Sequence, residues 1–275
     1  MAFLFACKQC LLFLVVLLHA SAAIAAAALD NSTDLASLLA FKAASTSGGA
    51  AASDNIIAAN WTTDAPFCTW VGVRCSRQYP SRVVSLNLGS FSLQGTISPH
   101  LSNLSFLSSL DLSNNSLSGT IPDTLGQLPR LAKLRPKWNH LSGPIPPSIF
   151  NNMSFLVYIN LYHNHVSGSL PTIVMLPRIE IIAIGDNLLT GHVPASLAQC
   201  STLQEIYLGI NRLTGSVPSS FGNLSDLVHL ALGQNQLSGA IPASIGNLTK
   251  LRLLFLAFNH LGGEIHKELG NLVNL

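Results

Sequence analysis

The sequence predicts an α/β solenoid, coiled right-handed into a horseshoe with a parallel sheet on its concave side, and three observations carry that expectation. A sixteen-position phrase recurs along most of the chain, clearest as Leu107-Ser-Ser-Leu110-Asp-Leu112-Ser-Asn-Asn115-Ser-Leu117-Ser-Gly119-Thr-Ile121-Pro122. Its copies begin at Val83, Leu107, Leu131, Leu156, Ile179, Leu203, Leu227 and Leu251, in steps of 24, 24, 25, 23, 24, 24 and 24 residues. Asparagine holds the ninth place of seven copies and glycine the thirteenth of all eight. A constant period of this length marks units that bury their apolar side only against neighbouring units.

Each place in the phrase has a physical reading. Places one, four and six are apolar, as in Leu203, Ile206 and Leu208, which predicts a short strand with one face buried. The ninth-place asparagines are Asn115, Asn139, Asn164, Asn187, Asn211, Asn235 and Asn259, with Phe91 the exception in the first copy. A buried amide at a tight bend both donates to and accepts from backbone groups, so these predict a ladder with one rung per coil. The thirteenth-place glycines, Gly95 to Gly263, predict a turn that needs their backbone freedom. An apolar residue and then proline follow in six copies, with Ser98 and His266 standing in elsewhere. The phrase Leu-x-Gly-x-Ile-Pro resembles the plant-specific form of the leucine-rich repeat.

Before the repeats, residues 1–28 combine Lys8, an apolar run from Leu11 to Leu18 and an alanine-rich end, the layout of a cleaved secretory leader. A retained membrane anchor is the rival reading, since Cys10 to Leu29 has about the 20 residues a span needs. Residues 29–82 lack the period. Asp34 to Lys42 reads as an amphipathic helix with an acid near its start, and a Ser/Gly/Ala loop follows. Trp61 then precedes Cys68-Thr-Trp70-Val-Gly72-Val-Arg-Cys75. The phrases Asp-x-x-x-Leu-Leu-x-Phe-Lys and Cys-x-Trp-x-Gly-Val-x-Cys resemble the N-terminal cap of plant leucine-rich-repeat receptors. A cap is needed on physical grounds, because the first coil has no neighbour to cover its apolar end.

Cys68 and Cys75 are placed to pair in an oxidising secretory route, whereas Cys7 and Cys10 would leave with the leader. A zinc site is the alternative, but no second ligand pair follows at zinc spacing. Cys200 occupies a phase where other copies carry leucine, which makes it a small buried hydrophobe. Asn-x-Ser/Thr sequons stand at Asn31, Asn60, Asn103, Asn114, Asn152, Asn223 and Asn247. Asn103, Asn152, Asn223 and Asn247 each lie four places before a repeat start, on the outer side of the coil, where glycans would leave the concave face clear.

Two departures from the pattern stand out. Pro136 replaces the sixth-place leucine of the third repeat, which predicts a locally broken strand and a stability deficit. Leu275 is both the first place of a ninth copy and the last residue, so residues 83–275 hold eight repeats and the start of another. That ending suggests a truncated product or a fragment.

With 48% hydrophobic and 9% charged residues and a net charge of +2, the chain lacks the basic footprint of a nucleic-acid binder. It contains no phosphate loop, kinase signature, paired-carboxylate motif or Gly-x-Ser-x-Gly elbow, so it reads as a non-enzyme without cofactor. His163 and His165 flank the ladder residue Asn164, an arrangement that points them in unrelated directions and gives no metal site. Function is expected on the concave sheet, at places two, three, five, seven and eight. There Lys133, Arg135, Lys137, Trp138, Tyr158, Tyr162 and His163 form a basic and aromatic group. Farther on come Glu205, Tyr207, His229, Phe255 and Phe258, rings that the core does not require.

The mature chain as a whole resembles the ectodomain of plant leucine-rich-repeat receptor kinases, in particular the subfamily that includes immune receptors for microbial patterns. The resemblance implies an extracellular location, secreted or on the outer face of the plasma membrane. It also implies an extracellular peptide, glycan or protein ligand, and a co-receptor with a similar ectodomain. A transmembrane helix and a Ser/Thr kinase would follow in that family. The competing readings are a secreted inhibitor of a cell-wall hydrolase, of the polygalacturonase-inhibiting type, and a non-functional truncated product.

Overall fold

A computed structural model describes residues 31–45, 56–78, 81–173 and 176–275. The expected leader over 1–28, with Cys7 and Cys10, and most of the Ser/Gly/Ala loop lie outside them. The repeats build a sheet of nine strands, in which Val73–Cys75 pairs antiparallel with Val83–Asn87 and every later strand adds parallel, one per repeat, through to Leu253–Phe255. From the second repeat on, each strand covers only places three to five. Places one, four and six point inward, and Leu203, Ile206 and Leu208 are fully buried. Burial of side chains of this size contributes about 1.5–3 kcal/mol each. In the eighth coil Leu254 and Leu256 are only half-buried, since one neighbouring coil packs on them rather than two.

A second sheet lies in the stretch after the ladder: five parallel strands from Gln94–Thr96 to Leu188–Thr190, and three more from Thr214–Gly215 to His260–Leu261. The thirteenth-place glycines lie in or beside these strands with φ between 74° and 88°. They therefore serve a kink in a strand rather than a free turn. At Gly95 there is a further need, because an added Cβ would overlap the Ala44 carbonyl at the end of the cap helix.

The outer side carries short 3-10 helices, and the sixteenth-place residue, proline in most copies, precedes each. Pro122, Pro194, Pro218 and Pro242 have φ from −67° to −63°, the angle their ring already imposes. Ser98 reaches the same φ, −66°, and compensates for the missing ring by accepting from the His100 amide through its hydroxyl. The repeat that takes 25 residues accommodates the extra one by forming an α-helical turn, Pro147–Asn152.

The ninth-place amides join adjacent coils. Asn187 is representative: its Oδ1 accepts from Val166 N at 2.9 Å, and its Nδ2 donates to the carbonyls of Leu161, Ile184 and Gly185. Each such asparagine serves the coil before its own. The first copy has only the cap before it, and Phe91 there instead offers its backbone N–H to Asn115.

Pro136 does not break its strand. Lys133–Arg135 is as long as its neighbours, Pro136 is itself buried, and its carbonyl still accepts from Asn139 and Asn164. The strands end at place five in every repeat from the second on, so the proline falls just beyond the ladder. What is lost is one bond: elsewhere the sixth-place N–H donates to the next coil, as Leu112 does to Arg135 O. Pairing with the following strand accordingly stops at Leu134–Ile159.

The cap helix runs from Ser32 to Ser45 and buries Leu38 and Phe41 against the first coil. Trp61 and Trp70 stack at 5.2 Å, and both indole N–H groups find backbone carbonyls, Val71 O and Thr62 O. Cys68 and Cys75 form a disulfide. The Asp34 carboxylate does more than favour a helix start. It is fully buried, takes two hydrogen bonds from the Arg82 guanidinium and one from Val83 N, and so ties the helix to the first strand.

Candidate ligand-binding face

Strand register sets two columns of side chains on the concave sheet. The third-place column runs Ser109, Lys133, Tyr158, Ile181, Glu205, His229, Leu253. The fifth-place column includes Asp111 beside Arg135, then Asn160, Ala183, Tyr207, Ala231 and Phe255. Neighbours across these columns hold one another in place. Arg135 donates to Asp111 at 3.4 Å and lies over the Tyr158 ring, while the Tyr158 hydroxyl accepts from Asn160 Nδ2 at 2.8 Å. Two repeats on, the Tyr207 hydroxyl meets His229 Nδ1 at 2.7 Å, and Glu205 lies 3.5 Å from the same nitrogen. Burial first, then the Glu205 charge, raises the Tyr207 phenol above its ordinary pKa. Burial and Asp186 do the same for Tyr162.

Trp138, His163 and Phe258 behave differently from the rest of the expected set. They occupy place eight, where every repeat has positive φ, from Ser90 at 63° to Phe258 at 60°. The strand has ended three places earlier and the chain bends there, so these side chains stand at the margin of the sheet. Trp138 packs against His163 at 4.1 Å between ring centroids and reaches Tyr162 at 6.0 Å, and His163 pairs with Asp186 of the next coil. His163 and His165 do not diverge as the sequence suggested. Together with His140, Asn164 and Asp186 they line one pocket of about 240 Å³, because the left-handed residue turns His163 back toward the ladder edge. Among the described residues no three His, Cys, Asp or Glu side chains are grouped to hold a metal ion.

The structure thus brings Lys133, Arg135, Tyr158, Tyr162, Trp138 and His163 into one continuous group and sets Tyr207 two coils away from Tyr158. Lys137 follows Arg135 at place seven, partly exposed. Phe255 and Phe258 lie on the last coil, the latter 74% exposed. Sequence reasoning missed the acids that orient the bases, Asp111 and Asp186. The signal was present, since each stands one coil from its partner at the same place. It also missed the seventh-place glycines. A Cβ on Gly185 would crowd the Tyr162 ring and one on Gly233 would overlap Phe255, so both rings pass close to bare backbone.

Asn103, Asn152, Asn223 and Asn247 end outer helices and are exposed. Asn31 is exposed as well, whereas Asn60 accepts from Val71 N and Asn114 donates to Ser90 Oγ. Cys200 is buried and free, and burial pushes its thiol up to about 11.

Comparison with known proteins agrees with this architecture. Residues 31–76 match the model for the leucine rich repeat N-terminal domain, and residues 106–128 and 201–261 match models for the leucine rich repeat itself. The chain is 45% identical over 83 residues to the LRR receptor-like serine/threonine-protein kinase EFR of Arabidopsis thaliana, covering 30% of this chain and 8% of that protein. It is 54% identical over 54 residues to the receptor kinase-like protein Xa21 of Oryza sativa subsp. japonica, covering 18% of this chain and 5% of that one. The ectodomain of GASSHO1/SCHENGEN3 from Arabidopsis thaliana, solved with CASPARIAN STRIP INTEGRITY FACTOR 2, superposes with a TM-score of 0.73 at 31% identity, over 89% of this chain and 31% of that one. The Arabidopsis receptor kinase HAESA, solved with the peptide hormone IDA and the co-receptor SERK1, gives 0.70 at 29% identity, over 88% and 44%. This chain therefore spans under a tenth of its curated relatives' length and less than half of these ectodomains. In its cap, its repeat phrase and its overall fold the chain is thus similar to leucine-rich-repeat ectodomains of the plant receptor-kinase type.

Proposed function

We propose that the chain is an extracellular recognition module that binds an extended peptide along its concave face, as part of a receptor-like kinase or receptor-like protein. The observation that carries the reading is the adjoining group of Lys133, Arg135, Tyr158 and Tyr162, with Tyr207 farther along the same sheet. It presents cations first and then rings, of which Tyr158 and Tyr207 have their hydroxyls held by neighbouring side chains. Such a surface suits a peptide with an acidic group near one end and apolar side chains after it. The solved peptide hormone receptor RGFR1 with RGF2, and HAESA with the peptide hormone IDA, support this reading, and a co-receptor with a similar ectodomain would complete the signalling unit. Glycans on the four outer-helix asparagines would leave the face open.

The test is selection of a displayed random-peptide library on the folded chain. Selected peptides lose about 1–3 kcal/mol of binding to Tyr207→Ala, and little to the outer-side variant Gln127→Ala. Equal loss from both would remove the concave assignment.

A further inference from the structure

The residue just before each repeat start forms a column of its own along one flank of the solenoid: Arg82, Phe106, Arg130, Phe155, Arg178. Cation and ring alternate coil by coil. The guanidinium groups of Arg82 and Arg130 lie 4.4 Å and 4.3 Å from the Phe106 centroid, approaching from the coils on either side. Arg178 lies 4.4 Å from the centre of Phe155. Stacking on a ring holds a guanidinium in one orientation while leaving its N–H edge available for a carboxylate.

The charges along this flank are not all neutralised. Arg82 is met by Asp34, and farther along the same column Lys250 is met by Asp226 at 2.6 Å. Arg130 and Arg178 are exposed, and among the described residues neither has a hydrogen bond or an ion pair; Glu180, two residues beyond Arg178, makes none with it. Phe155 stands between them, 43% exposed, with Arg178 on one face only. Both arginines lean back by one coil, so their separation remains that of two coils, about 10 Å at ~4.8 Å per strand.

That separation selects a backbone. On an extended strand, residues on one face recur at about 7 Å, which is too short. A polyproline-II segment returns to the same face every three residues, at about 9 Å, and such segments dock on aromatic side chains with little ordering cost. We propose that this flank binds an acidic proline-rich segment in the polyproline-II conformation. One carboxylate engages Arg130, a second, three residues on, engages Arg178, and a proline packs on the open face of Phe155. The site is separate from the concave face and does not depend on what that face binds.

Fluorescence anisotropy with a labelled peptide of repeated Glu-Pro-Pro triplets tests the proposal, with Gln-Pro-Pro and Glu-Gly-Gly repeats as controls. The expected result is saturable binding of Glu-Pro-Pro alone. It weakens by roughly tenfold or more in each of Arg130→Gln, Arg178→Gln and Phe155→Ala, is intermediate in Arg178→Lys, and is unchanged in Tyr207→Ala. Thermal melts of the variants accompany the titrations, and three independent surface positions guard against the failure of any one to fold. Absence of saturable binding, or equal binding of the Glu-Gly-Gly peptide, overturns the proposal. So does tighter, arginine-dependent binding of an oligogalacturonide, which would make the flank a carbohydrate reader. Loss of binding in Tyr207→Ala with retention in Arg178→Gln would move the peptide to the concave face and sink the flank site.

Discussion

Asp34 and Arg82 form a fully buried ion pair 48 residues apart, in which one carboxylate oxygen also accepts from the Val83 amide. This contact fastens the cap to the solenoid, and its geometry satisfies both charges at once. Removing one partner would strand the other in an apolar interior. Asp34→Ala should therefore destabilise the chain by about 3–5 kcal/mol, read as a shift in the urea midpoint. A midpoint within about 1 kcal/mol of the parent would mean that Arg82 finds solvent without the acid.

The ladder makes a graded prediction. Asn187→Leu leaves Val166 N without a partner between two packed coils, at a cost of about 1–3 kcal/mol, whereas Leu161 O keeps its bond from Asn164. Asn259, on the outermost coil and only partly buried, should cost less when changed in the same way. Hydrogen exchange at the Val166 amide checks the mechanism: it should accelerate in Asn187→Leu and remain slow in Asn259→Leu.

Pro136→Leu restores one inter-coil hydrogen bond, to the Asn160 carbonyl, which contributes about 0.5–1.5 kcal/mol. It also releases the unfolded chain from a proline's restriction, a loss of about 0.4–1 kcal/mol. The two nearly cancel, so the melting temperature should change little. A rise corresponding to several kcal/mol would show that the core at place six is under-filled despite the buried proline.

The disulfide closes a short loop, and its removal should cost about 2 kcal/mol, the low end for such bridges. Mass spectrometry of the denatured chain should show two additional alkylation sites after reduction, mapping to Cys68 and Cys75. Labelling that maps elsewhere would refute the pairing.

Cys200 is a probe of folding. Its thiol, buried in the folded chain, titrates near 11 rather than at its ordinary 9.0. In the unfolded chain it ionises first, so the stability it contributes is complete below about pH 9 and is lost between pH 9 and 11. Its reaction with a thiol reagent at pH 8 should follow the unfolding rate. Rapid labelling of the native chain would place it at the surface.

The repeat phrase alone determined the architecture, because places one, four, six and nine each answer a local demand that recurs in every coil: a buried strand face, then an amide for orphaned backbone groups. Three matters were decided only by the folded chain. The second sheet arises from pairing between coils at residues such as Gln94 and Ser116, which carry no alternating apolar pattern to announce it. The left-handed residue at place eight turns Trp138 and His163 to the margin of the sheet, and nothing in a tryptophan or a histidine signals that backbone angle. The partnerships of Asp34 with Arg82 and of Arg178 with Phe155 join residues that sequence distance separates and stacking brings together. Periodic packing can be read along one chain, whereas ion pairs and ring stacks depend on which side chains the winding places opposite one another.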